Sequence, residues 1–110
     1  VERNIIFYKL LEENLKNLSI FKQTKIINNN VENDKIIPDE KYNIIFFDPP
    51  YKNTNFLKTL AKFKKEKKFN RNHILIIHRE VRSDENFNDL IKILDERKYG
   101  RSRIIFAKFI

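Results

Sequence analysis

The stretch Tyr42-Asn-Ile-Ile-Phe-Phe-Asp-Pro-Pro-Tyr51 (YNIIFFDPPY) decides the reading of this chain. Tyr42–Phe47 has the composition of a strand. Its apolar residues run together instead of alternating, the pattern of a strand whose two faces are both covered by helices. Asp48-Pro49-Pro50-Tyr51 then ends it abruptly. Two prolines fix two φ angles and remove two N–H donors, and Pro50 biases Pro49 toward an extended backbone. The expected product is a stiff loop whose carbonyls point outward as acceptors. Asp48 adds a carboxylate at the strand end, and Tyr51 adds an aromatic face. Acceptors beside a stacking ring suit a planar group that carries an NH₂, such as a nucleobase with an exocyclic amine. The bland alternative is a strand terminator in which Asp48 caps and Tyr51 packs. The position of the loop after an apolar strand favours binding.

Outward from this stretch, strand-like and helix-like patterns alternate. Asn4 to Leu18 reads as a helix capped by Asn4, with Ile5, Tyr8, Leu11, Leu15 and Leu18 at spacings of three or four. Glu12 and Lys16 form a favourable i,i+4 pair. Thr24 to Asn28 is a short strand candidate, and the polar run from Asn29 to Lys41, with Pro38, is a loop. Thr54 to Lys67 reads as a helix with Phe56, Leu57, Leu60, Ala61 and Phe63 toward the core. His73 to His78 reads as a second buried strand. Ser83 or Asp84 opens an expected helix through Leu94, carrying Phe87, Leu90, Ile91 and Leu94. Glu96–Tyr99 and Arg103–Phe109 read as a hairpin turning at Gly100. The alternation predicts a single α/β domain over residues 1–110, with a mostly parallel sheet and a C-terminal antiparallel hairpin. Ligands of such sheets lie beyond the carboxyl ends of the strands, where Asp48–Tyr51 stands.

Composition narrows the chemistry. The chain has 110 residues with one glycine and no cysteine, methionine or tryptophan. One glycine cannot build a glycine-rich phosphate loop, and the absence of cysteine excludes disulfides and thiolate metal sites. It also fits a reducing, cytoplasmic setting. His73 and His78 alone are too few for a metal site. No apolar run reaches the roughly 18–20 residues of a membrane helix, and Glu2, Arg3 and Asn4 do not suit a signal peptide. Lys plus Arg number 23 against 15 Asp plus Glu, a net charge of +8. That balance makes nucleic acid the leading partner class, although AT-rich coding DNA would also enrich Lys, Asn and Ile. A chain with no Met that opens on what reads as a strand end is expected to be a fragment or a processed chain.

The motif Asp48-Pro49-Pro50-Tyr51 resembles the signature of S-adenosyl-L-methionine-dependent amino-methyltransferases. Its surroundings narrow the resemblance to the RsmD-like family, which methylates the exocyclic N2 of a guanine in small-subunit ribosomal RNA. Val1-Glu2 followed by a helix ending in Glu13-Asn14-Leu15 is similar to that family's early segment. Tyr42–Lys52 is similar to its central strand and loop, and Tyr99-Gly100 with Ser102 and Ile104-Ile105-Phe106 to its closing hairpin. The resemblance covers essentially the whole chain. It implies a Rossmann-like class I methyltransferase fold whose first strand and glycine-rich loop would precede Val1, supplied by the rest of the chain or by a partner chain. It implies that Asp48 and the Pro49 carbonyl accept hydrogen bonds from the target NH₂, with Pro50 stiffening the loop and Tyr51 stacking on the base. Glu2 would meet the cofactor ribose and Asn30 its adenine. His78 stands near a position where the family often carries Glu. Lys52, Lys58, Arg79 and Arg82 are expected to contact phosphates of ribosomal RNA or of a small-subunit particle, although a lysine-rich helix face is equally a solvated surface. A DNA amino-methyltransferase, an inactive RNA-binding remnant and half of a split enzyme are the alternative readings.

Overall fold

The computed structural model describes residues 1–31, 37–52 and 55–110. The chain divides into two compact units, Val1–Pro38 and Asp39–Ile110. The middle of the expected 29–41 loop (32–36) and the expected helix start at Thr54 lie outside the described residues.

The first unit holds helix α1 (Ile5–Asn17) and one turn of 3₁₀ helix at Phe21–Gln23. Asn4 caps α1 as its residue type predicts. Its backbone is extended, and its side-chain oxygen accepts from Ile6 N at 2.9 Å and Phe7 N at 3.3 Å. Those two bonds satisfy donors that the first helical turn leaves orphaned. The Glu12–Lys16 pair forms at 3.3 Å. The strand expected over Thr24–Asn28 shrinks to one parallel bridge between Glu2 and Asn28. Glu2 N donates to Ile27 O at 2.9 Å, and Asn29 N to Glu2 O at 3.1 Å. A strand extends only as far as its partner, and here the partner contributes a single residue.

The second unit is one four-stranded sheet and a helix. In chain order these are β1 (Tyr42–Phe47), α2 (Phe56–Lys65), β2 (Phe69–Glu80), β3 (Ile91–Tyr99) and β4 (Ser102–Phe109). The spatial order is β1-β2-β4-β3. β1 runs parallel to β2, and the β2–β4 and β4–β3 pairs are antiparallel. The sheet of this unit is therefore mixed, with one parallel pair made by the β1–α2–β2 crossover. The terminal hairpin forms as expected and is longer than its sequence signal. Gly100, at φ +55°, opens the two-residue connection between Tyr99 and Ser102.

Pleating sends alternate residues to opposite faces. Ile45, Phe47, Leu75, Ile77, Ile105 and Ala107 are buried on one face, in paired register across β1, β2 and β4. Phe56, Leu60 and Phe63 of α2 join this core, with Phe63 edge-on to Phe47 at 5.4 Å. Ile44 and Phe46 stay exposed on the other face. Two-sided coverage, expected from the unbroken apolar run, is thus not found at these residues.

The helix expected from Ser83 or Asp84 through Leu94 does not form. Val81–Leu90 is irregular, and Ile91–Tyr99 is strand. Asn88 takes a left-handed φ of +49°, and Asn86 Oδ1 accepts from Asn88 N at 2.9 Å. Local asparagine bonds of this kind compete with helical backbone bonds. The spacing of Phe87, Leu90 and Ile91 serves the core without a helix, since Phe87 and Ile91 are both buried. Strand β4 supplies a pairing template from Phe109 back to Ser102.

Candidate active site

The register of β1 on β2 builds this site. Phe47 pairs with Ile77, so the next residue, Asp48, arrives beside His78, and the prolines that follow arrive beside Arg79. His78 and Arg79 are neighbours on one strand and point to opposite faces. Between them they hold the loop from two sides.

On one side, His78 Nδ1 lies 2.9 Å from Asp48 Oδ1. Its Nε2 lies 2.9 Å from Ser102 Oγ, and the Tyr51 hydroxyl stands 3.5 Å from the same nitrogen. The Tyr51 and His78 rings meet edge to face at 5.8 Å. The Asp48 side chain is 55% exposed, and Tyr51 is 48% exposed. An acceptor and an aromatic face are therefore open to a ligand, and both are tethered to one imidazole.

On the other side, Arg79 is 3% exposed. Its guanidinium donates to Pro49 O at 3.4 Å, Pro50 O at 3.2 Å and Tyr51 O at 2.9 Å. Its Nε donates to Glu85, and its Cζ lies over the Phe56 ring, 4.4 Å from the centroid. Burial alone would raise the Glu85 carboxyl, but hydrogen bonding, led by the bond from Arg79, together with the Arg79 charge holds Glu85 below the ordinary carboxylate range. Arg103 extends the network. It donates to Glu96 at 2.7 Å and to Ser83 O at 2.9 Å, and stands 3.7 Å from Glu85. The hydrogen bond from Arg103 keeps the Glu96 carboxyl low as well.

Two expectations are corrected here. Arg79 is not a phosphate contact, because its donors are spent inside the fold on the loop and on Glu85. The carbonyls of Pro49, Pro50 and Tyr51 do not simply point outward, because all three accept from Arg79. A carbonyl has two lone pairs, so the Pro49 oxygen keeps one for a ligand. Arg103 is likewise largely buried and held in ion pairs.

The other expected residues separate by unit. Lys52 follows the loop, Lys58 stands in the first turn of α2 and Arg82 lies just past β2, and all three are exposed. In the same lysine-rich stretch, Lys64 donates to Asp89 O at 2.9 Å, and Lys68 is buried and paired with Glu66 at 3.6 Å. Part of that run is therefore structural. Glu2 and Asn30 belong to the first unit. The Glu2 carboxylate accepts from Asn4 N at 2.8 Å, and Asn30 N donates to Asn29 Oδ1 at 2.7 Å. No cluster of three or more metal-ligating side chains occurs among the described residues, and no described helix is long and apolar enough to cross a membrane.

The sequence matches, over residues 1–108, the family described as conserved hypothetical protein 95. Among solved structures it is similar to a candidate methylase from Haemophilus influenzae, with 15% identity over 99% of this chain and 70% of that one and a TM-score of 0.80. It is similar to YhhF of Escherichia coli, described as a candidate methyltransferase, with 16% identity over 98% of this chain and 59% of that one and a TM-score of 0.78. A conserved hypothetical protein from Streptococcus pyogenes matches at 14% identity, covering 96% and 67%, with a TM-score of 0.85. The chain thus spans 59% to 70% of the lengths of these proteins. At such identities the likeness is one of fold. No curated protein matches the sequence.

Proposed function

The chain belongs to the conserved hypothetical protein 95 family, the RsmD-like family, and on that premise we propose that it is an S-adenosylmethionine-dependent methyltransferase acting on the exocyclic N2 of a guanine in small-subunit ribosomal RNA. The observation that carries this reading is the Asp48–Tyr51 loop. It stands at the carboxyl end of β1, gripped from both faces, and it presents an open carboxylate beside an open ring.

On this reading Tyr51 stacks on the target base. Asp48 and the Pro49 carbonyl accept hydrogen bonds from its NH₂ and fix the direction of the nitrogen. The bound cofactor supplies an electrophilic methyl group. Transfer of this kind needs alignment and electrostatic stabilisation more than a strong base. The carboxylate disperses the positive charge that grows on nitrogen and stands ready for the proton that leaves. Glu2 fits the ribose diol by its acceptor chemistry, since a carboxylate offers about four acceptor sites and Asn4 N–H takes one. Exposed Lys52, Lys58 and Arg82 would meet RNA phosphates.

The test is transfer of labelled methyl to small-subunit ribosomal particles and to duplex DNA, followed by nucleoside analysis. Wild-type protein should place label on guanosine N2 in the particles. Asp48→Ala should abolish transfer while cofactor affinity, measured by calorimetry, stays within about threefold. Label in DNA instead, or wild-type turnover by Asp48→Ala, would reject the assignment.

A further inference from the structure

We infer that His78 is a positioning residue that aims the Asp48 carboxylate at the amine by donating a hydrogen bond from Nδ1. The inference rests on the amine-methylation reading above and adds a specific residue to it. The chemistry of the four groups fixes the proton. An ionised carboxylate can only accept, so the 2.9 Å contact with Asp48 Oδ1 requires the proton on Nδ1. In the neutral ring Nε2 then becomes an acceptor. Both hydroxyls that reach it, Ser102 at 2.9 Å and Tyr51 at 3.5 Å, can donate. The tautomer is thus fixed from both ends of the ring.

The consequence for Asp48 is directional. Oδ1 is tied to the imidazole, and no described residue meets Oδ2. A free aspartate rotates about its terminal bond with little preference. Tethered at one oxygen, it presents the other along a fixed line. The same imidazole touches Tyr51 through the edge contact and the hydroxyl, so acceptor and stacking ring share one anchor. Ser102 opens β4 beside the hairpin turn, opposite Glu80 in the β2–β4 ladder, so the anchor is itself fixed to the sheet.

The experiment has two readouts. The chain holds two histidines, so long-range proton–nitrogen correlation spectra resolve each ring's tautomer. His78 should carry its proton on Nδ1 in the wild type, with the bias reduced in Asp48→Ala. A proton on Nε2 would overturn the inference with no variant involved. The second readout is kinetic. His78→Ala should lower kcat roughly 10- to 100-fold with KM for cofactor unchanged, the scale of a misaligned reacting group. His78→Asn places an amide N–H near the Nδ1 position and should recover most of that loss, whereas His78→Gln, whose amide reaches the Nε2 position, should not. Wild-type kcat in His78→Ala, or Asn no better than Ala, would overturn the inference. If wild-type protein transfers no methyl at all, the preceding reading fails, and the tautomer alone decides whether His78 aims Asp48.

Discussion

Replacing Arg79 by methionine should cost about 4 kcal/mol of folding stability, and the structure supplies the reasons. The side chain is 4% exposed, so its environment offers little water to take over its roles. Its ionic partner Glu85 is itself mostly buried. Removing one member of a buried pair typically costs about 3–5 kcal/mol, and Arg103, 3.7 Å from Glu85, offsets only part of that loss. The stacking of the guanidinium on Phe56 adds about 0.5–2 kcal/mol. The three loop carbonyls add less than their number suggests, because the loop is partly exposed and water can replace the guanidinium there. Against a typical total of about 5–15 kcal/mol, the variant should be close to unfolding. Its Tm should fall by roughly 15–30 °C, at about 4–8 °C per kcal/mol for a domain of this size. The assay is urea unfolding followed by circular dichroism, since the chain has no tryptophan. Arg79→Met with Glu85→Leu should recover about 2 kcal/mol over the single variant, because the buried carboxylate is then gone and Arg103 keeps Glu96. A loss below about 1 kcal/mol for Arg79→Met would refute the reasoning. So would a double variant no better than the single one.

Two further outcomes follow from the same geometry. Glu85 and Glu96 are both held below the ordinary carboxylate range, so each contributes stability that is present above its unfolded pKa of about 4.3 and is lost as pH falls through the lower folded value. The urea midpoint should decline as pH drops below about 4.5, and Glu85→Gln should flatten part of that decline; an equally steep decline in the variant would contradict it. At Gly100 a Cβ meets nothing within 4 Å, so Gly100→Ala should cost only the left-handed backbone term of about 1–2 kcal/mol. A neutral Gly100→Ala in the same urea assay would show that the turn relaxes to another conformation.

Much of the fold was legible because single residues announced it. Asn4 marked the start of α1 by its capping chemistry, Gly100 marked the hairpin, and the two prolines marked the end of β1. The failure at 83–94 has a physical cause. Phe87, Leu90, Ile91 and Leu94 lie at helical spacing, but spacing does not exclude a buried loop feeding a strand. Non-local pairing with β4 decided the matter, and no local pattern reports it. The length of β2 was missed likewise, because Phe69–Asn72 is polar enough to read as loop until its neighbours are known. At the site, Asp48 and Tyr51 were visible as a motif. The role of Arg79 was hidden by its charge, which suggested a surface ligand. One signal could have found it: Leu75, Ile77 and Arg79 share strand parity, so extending the alternation past His78 places the guanidinium on the core face.

That parity explains why a loop so exposed can be so well fixed. Two prolines in succession stiffen the backbone but leave carbonyls with no neighbouring N–H to pair with. Donors must come from elsewhere, and a planar guanidinium with five N–H groups can serve several acceptors at once where a lysine could not. Arg79 does this from the core face, buttressed by Glu85 and Phe56. The carboxylate of Asp48 has a different requirement: it must stay in contact with solvent and ligand. Its anchor therefore belongs on the opposite face, where His78 stands. Consecutive residues of one strand meet both requirements because their side chains diverge. A register slip of a single residue between β1 and β2 would exchange the two faces, bringing the guanidinium to the carboxylate and leaving the loop carbonyls without their donor. The pairing of Phe47 with Ile77 is thus as much a part of the site as the residues that line it.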